Sequence, residues 1–343
     1  MEAKIIEFVR KRPGMYIGEM GMRGFKSMLG YLFDELLKDL NTKSEIAVSF
    51  IKNDWIRIEA QKIDTKHFLR VLHSSDENLI HFGYLSLPVL VALSEELTVQ
   101  VNGFNSVTNL SAKKGNFIIT PSAFQGKKQG LTLDFKLDSG LFQPFEMSYE
   151  IINQFIRKYA FLNPGCKITS IDNRTKNDQK NIYDYPLGVS HQLDYEIGMR
   201  FYGHPLLRFD FKTIIKEYSY QISFCYMDSW LDKAKITSFA DDKELIFGGS
   251  LIEGVLDGII ASVKKNHKIG EADINIDRKK VKEGLILVAA VRGKNLVFAG
   301  CTKEKLEMPR MRRQIRKYIS SELTSHFHSQ PDVANKFMDT FRK

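Results

Sequence analysis

A nine-residue run, Arg10-Lys11-Arg12-Pro13-Gly14-Met15-Tyr16-Ile17-Gly18, sets a Pro-Gly break after a short helical arm at residues 2–9. An amphipathic helix is expected next, over 24–40, with Phe25, Met28, Leu29, Leu32, Phe33, Leu36, Leu37 and Leu40 at helical spacing. This opening fixes the register in which the rest of the chain is read. Strands at Glu45–Ile51 and Trp55–Glu59 are joined by Lys52-Asn53-Asp54 as a turn. A helix over 84–96 follows, then strands at Val99–Val101, Ser106–Ser111, Phe117–Thr120 and Leu131–Leu137. Tyr149–Ala160 reads as a helix and Lys167–Ile171 as a strand after the Asn163-Pro164-Gly165 turn. The pattern is that of an α+β sandwich, with helices layered over a mainly antiparallel sheet.

Residues 172–191 are polar and rich in Asn, Lys and Asp, and the domain boundary is expected there. Beyond it the pattern gives strands at Gln221–Tyr226 and Ala234–Phe239, then a helix at 250–265. Strands follow at Gly284–Val291 and Leu296–Phe298, and a basic amphipathic helix over 308–327. A chain of 343 residues is long enough for two cores. No apolar run approaches the roughly 18–20 residues a bilayer span needs. The acidic, interrupted start Met1-Glu2-Ala3-Lys4-Ile5-Ile6-Glu7-Phe8 is not a signal peptide. Cys166, Cys225 and Cys301 are odd in number and far apart, which fits reduced thiols in a cytoplasm and no metal site. The net charge of +9 favours a polyanionic partner or a solvated basic surface.

The Arg10–Gly18 run closely resembles a segment near the start of the gyrase B protein, the ATPase component of bacterial type II topoisomerases. Further matches keep that family's order and spacing. Tyr84–Ser94 resembles its ATP-lid helix, and Gln129–Phe135 its K-T-G-T-x-V-x-F strand. Arg157–Asn163 resembles the R-E-L-S-F-L-N helix end, and Gly248-Gly249 the start of the transducer helix. Glu283-Gly284-Leu285 and Cys301-Thr302-Lys303-Glu304-Lys305-Leu306 resemble the E-G-L and Q-T-K-x-K-L segments. The resemblance implies a GHKL-like ATPase-type sandwich over 1–185 and a transducer domain of the ribosomal S5 domain 2 type over 190–335. It places the end of the chain where the family's metal-binding cleavage domain would begin.

ATP hydrolysis in the family uses a glutamate general base on the first long helix and a magnesium-holding asparagine one turn later. It also uses an aspartate for the adenine amine, a supporting strand threonine and a glycine-rich lid. Aligned on Pro13–Gly18, the base position falls at Tyr31, whose phenol has a pKa near 10 and is a poor base. The magnesium position falls at Glu35 and the adenine position at Ala60. The lid keeps Gly83 but carries Leu87 and Pro88, and the strand threonine becomes Leu131. Lys303, at the position that reaches the nucleotide from the second domain, is retained.

The resemblance therefore implies a gyrase B-like pseudo-ATPase, a binding or regulatory module with no cofactor expected. Its partner would be a second copy or a topoisomerase subunit, met through Arg12, Pro13, Met15, Tyr16 and Ile17. Two alternatives stay open. One is an active ATP- and magnesium-dependent topoisomerase-like subunit using Glu35. The other is a DNA-binding module using Arg310, Arg312, Arg313, Arg316 and Lys317 as phosphate contacts. His326-Phe327-His328 lacks a third ligand, and no metal site is expected.

Overall fold

The structure is a computed structural model and describes residues 1, 3–38, 44–73, 85–123, 129–174, 179–199, 204–228, 234–266, 276–300 and 303–342. The chain forms two compact units, Met1–Pro186 and Leu187–Lys343.

The first unit opens with α1 (Ala3–Lys11), a short α2 (Gly14–Ile17) and α3 (Met22–Leu36). Gly14 continues from Pro13 at the head of α2, where a missing proline N–H costs nothing. The β1 (Glu45–Ile51) and β2 (Trp55–Gln61) hairpin follows, its turn a single 3₁₀ turn at Lys52–Asp54. Next come α4 (Lys66–His73), α5 (Ser86–Leu93), β3 (Ser94–Asn102), β4 (Val107–Lys113), β5 (Asn116–Ser122) and β6 (Gly130–Leu137). The unit closes with α6 (Tyr149–Leu162), β7 (Lys167–Asp172) and β8 (Gln179–Tyr183).

Its eight strands run in the order β5-β4-β3-β6-β2-β1-β7-β8, antiparallel except for β1 beside β7. Period-2 alternation explains the two faces. Ile56, Ile58 and Ala60 of β2 and Leu131, Leu133 and Phe135 of β6 are buried, while Arg57, Glu59 and Gln61 are exposed. The buried face shares one core with α1, α3, α5 and α6.

One expectation is corrected. The helix over 84–96 ends at Leu93, because Ser94 already pairs with Leu137 as strand β3. The two units divide after Pro186, inside the 172–191 segment where the boundary is expected, and that segment also holds β8 and the start of the next helix. Helix α4 was not expected.

The second unit contains α7 (Val189–Gly198), β9 (His204–Ile215), β10 (Tyr218–Asp228), β11 (Lys235–Ala240) and β12 (Lys243–Glu244). It continues with α8 (Ser250–Asn266), α9 (Arg278–Lys282), β13 (Leu285–Arg292), α10 (Pro309–Ser329) and α11 (Pro331–Arg342). Its sheet order is β12-β11-β13-β10-β9, with β11 and β13 parallel and joined through α8. Helices α8, α10 and α11 share a core with Tyr220, Ile222, Phe224 and Tyr226. Helix α7 packs on β13 and β10, where the Val189 N–H donates to Gln221 Oε1 at 3.3 Å. Gly249 sits at φ +106°, and a Cβ there would lie 2.1 Å from the Leu306 carbonyl oxygen, so only glycine fits. β9, α9 and α11 were not expected, and Leu296–Phe298 forms one isolated bridge rather than a strand.

Candidate functional site

Tyr31 and Glu35 lie four residues apart on α3, one turn up the same face. The Tyr31 hydroxyl donates to the Tyr16 carbonyl oxygen at 2.6 Å, which ties α3 to the end of α2. Burial, and then the Asp34 charge, push its phenol above the ordinary value.

Glu35 is only 4% exposed. Its Oε1 accepts the Ser86 backbone N–H at 2.8 Å, and its Oε2 accepts the Ser86 hydroxyl at 2.6 Å. The carboxyl group therefore caps the N-terminus of α5 from another element. Burial pushes its pKa up to about 7 against the downward pull of the Ser86 hydrogen bonds, the Lys38 charge and the Leu85 N–H.

Ala60 and Leu131 are each 1% exposed and stand opposite each other in the β2–β6 register. Both belong to the apolar core of the unit. Neither side chain offers a hydrogen bond. Gly83 lies outside the described residues. Lys303 adopts φ +58°, with its Nζ 5.8 Å from the centre of the Phe298 ring.

Arg10 was not singled out by the sequence beyond its place in the motif. Its guanidinium donates to the Ala92 carbonyl at the C-terminal end of α5, at 2.7 Å, and to Asp138 Oδ2 at 2.5 Å. Burial raises the Asp138 carboxyl, but the Arg10 and Gly140 hydrogen bonds and the Arg10 and Lys114 charges outweigh it, so its pKa is lowered. α5, buried along its whole length, thus meets an acid at its positive end and a base at its negative end.

Of the expected contact residues, Met15 is 75% exposed and Arg12 is exposed, while Pro13 and Tyr16 are half-buried. Ile17 is corrected: at 2% exposure it packs in its own core and offers no surface to a partner.

On α10, Arg310, Arg313, Arg316 and Lys317 are exposed, and none has an ion-pair partner among the described residues. Arg312 is corrected as a free phosphate contact. Its guanidinium is held by Glu253 Oε2 at 2.9 Å and Asp257 Oδ2 at 2.7 Å, both on α8. His326 packs edge-on against the Phe209 ring, 5.5 Å between centres, and Phe327 between the two histidines is buried. Among the described residues no cluster of His, Cys, Asp and Glu is placed to hold a metal. Cys166 and Cys225 are buried and form no disulfide among the described residues, and Cys301 lies outside the described residues. No described helix is long and apolar enough to cross a membrane.

The profile of the DNA gyrase B family matches residues 171–343. The chain is 25% identical to the DNA gyrase B protein of Clostridium acetobutylicum, over 97% of this chain and 56% of that protein. It is 27% identical to that of Thermotoga maritima, over 98% and 58%. It thus spans little more than half the length of these curated relatives. Among solved structures, the 43K ATPase domain of Thermus thermophilus gyrase B, in complex with an aminocoumarin, matches with a TM-score of 0.80 at 19% identity. That match covers 99% of this chain and 95% of the other. The DNA gyrase B protein of Myxococcus xanthus matches at 0.82 and 19% identity, covering 97% and 99%. At such identities the likeness is one of fold: an ATPase-type sandwich followed by a transducer-type unit.

Proposed function

The chain belongs to the DNA gyrase B family, and we propose that this member works by binding, as a pseudo-ATPase that has given up nucleotide turnover. One observation carries the reading. Glu35, at the position where the resemblance puts the magnesium ligand, has both carboxylate oxygens engaged by Ser86. A magnesium–nucleotide does not fit the rest of the described set. Ala60 has no carboxylate for an adenine amine, Leu131 has no hydroxyl, and the Tyr31 phenol is bound to a carbonyl and poorly basic.

The partner in this reading is a second copy or a type II topoisomerase subunit, met through Arg12, Pro13, Met15 and Tyr16. The relatives support it: they are named as parts of larger assemblies, among them one of the subunits of the type 2 topoisomerase of Aquifex aeolicus. Calorimetric titration with a non-hydrolysable ATP analogue and Mg²⁺, paired with a turnover assay, tests the reading. No heat and no turnover are expected. Magnesium-dependent turnover abolished by Glu35→Gln would establish the active-enzyme alternative instead.

A second reading rests on the exposed Arg310, Arg313, Arg316 and Lys317 of α10. Four cations along one helix can neutralise duplex phosphates without reading sequence.

A further inference from the structure

We propose that Glu35 is a built-in surrogate ligand, whose carboxyl group holds the N-terminus of α5 in the place an external anion would take and keeps that helix docked. α5 is eight residues long and every one is buried. A helix start presents unpaired N–H groups and the positive end of the dipole, and a buried start cannot turn to water for an acceptor. Such an end is a ready anion site. Here the acceptor oxygens come from the chain itself.

Glu35 reaches across from α3 and accepts from the Ser86 N–H and the Ser86 hydroxyl, one on each carboxyl oxygen. Pro88, third in the helix, removes a further donor that an external anion would need. The other end is closed in the same way, by Arg10 on the Ala92 carbonyl. An outside phosphate or carboxylate would have to displace a tethered carboxyl group, which competes at high effective concentration. The contact deepens the pseudo-ATPase reading but rests only on the Glu35–α5 geometry.

Hydrogen exchange of the α5 amides in Glu35→Ala, in sodium formate against sodium chloride at equal ionic strength, tests the proposal. Formate replaces the deleted carboxylate. The α5 amides of the variant should exchange roughly tenfold faster than wild type in chloride. Formate should restore them saturably, while wild type and Glu35→Gln, which keeps an acceptor, should not respond. Unchanged α5 exchange in the variant, or formate acting no differently from chloride, would overturn the proposal. Should Glu35→Ala not fold, Ser86→Ala serves. Faster exchange concentrated in α5 supports the contact, and exchange unchanged or raised evenly through the unit refutes it. Nucleotide binding by wild type would defeat the pseudo-ATPase reading and leave these results standing, so the two failures are distinguishable.

Discussion

Glu35 carries a carboxyl group into a site 4% exposed, and burial lifts its pKa from 4.5 to about 7. An acid whose folded pKa lies above its unfolded one favours folding while protonated. That contribution is complete below about pH 4.5 and is lost as the pH rises through 7. The difference of some two and a half pKa units corresponds to up to about 3 kcal/mol. Denaturant unfolding of wild type and Glu35→Gln from pH 5 to pH 8 checks this: wild type should lose stability relative to the variant across that window, and parallel curves would contradict it. Asp138 has the opposite sign: its lowered pKa stabilises above the unfolded value and fades in acid. The residue types of this site were legible in the sequence, since Tyr31, Glu35, Ala60 and Leu131 follow from the Pro13–Gly18 register. Their hydrogen bonds were not. Arg10 lies 82 residues from Ala92 and 128 from Asp138, and no local pattern predicts a contact over that distance.

Among the elements, those with strong periodicity, such as α3, α6, α8 and α10, were readable within a few residues of their ends. α5 was readable as a helix but not in length, because its apolar residues leave no periodicity and the pairing of Ser94 with Leu137 decides the end. β9 carries a period-2 signal, with Leu207 and Phe209 buried and Arg208, Asp210 and Lys212 more open. α11 begins at Pro331 directly after α10, and its Phe337, Met338 and Phe341 are buried against β9, β10 and α10. The α8–α10 contact gives a test of packing against propensity. A Cβ on Gly258 would lie 2.7 Å from Ile319 Cβ. Gly258→Ala gains about 1 kcal/mol of helix propensity and costs about 1–3 kcal/mol in overpacking. A net loss in thermal midpoint is expected, and a gain would show that the two helices can move apart.

At the scale of the whole molecule, net charge and the split of the basic helix set the expectations. With +9 overall, some duplex DNA binding at low salt is expected from charge alone. If α10 is the contact, Arg310→Gln, Arg313→Gln and Arg316→Gln together should weaken binding and flatten its salt dependence, measured by fluorescence anisotropy across a salt series. Arg312→Gln should instead lower the thermal midpoint, because it removes the Glu253 cation and one of the two on Asp257, leaving that carboxylate to Arg278 alone. An equal binding loss from Arg312→Gln alone would reverse that assignment. For self-association, sedimentation at rising concentration should show a dimer that Met15→Glu weakens and Ile17→Val does not. The sequence by itself determined the family, the α+β class, the two-core organisation and which residues the resemblance sets at the family's nucleotide positions, because these are written in local order, period and motif. Only the tertiary structure decided that Glu35 is a helix cap, that Arg10 holds the far end of the same helix, that Ile17 is core and that Arg312 is neutralised. Those outcomes depend on which distant groups share a dry site, and burial rather than residue type sets what a charge must bond to.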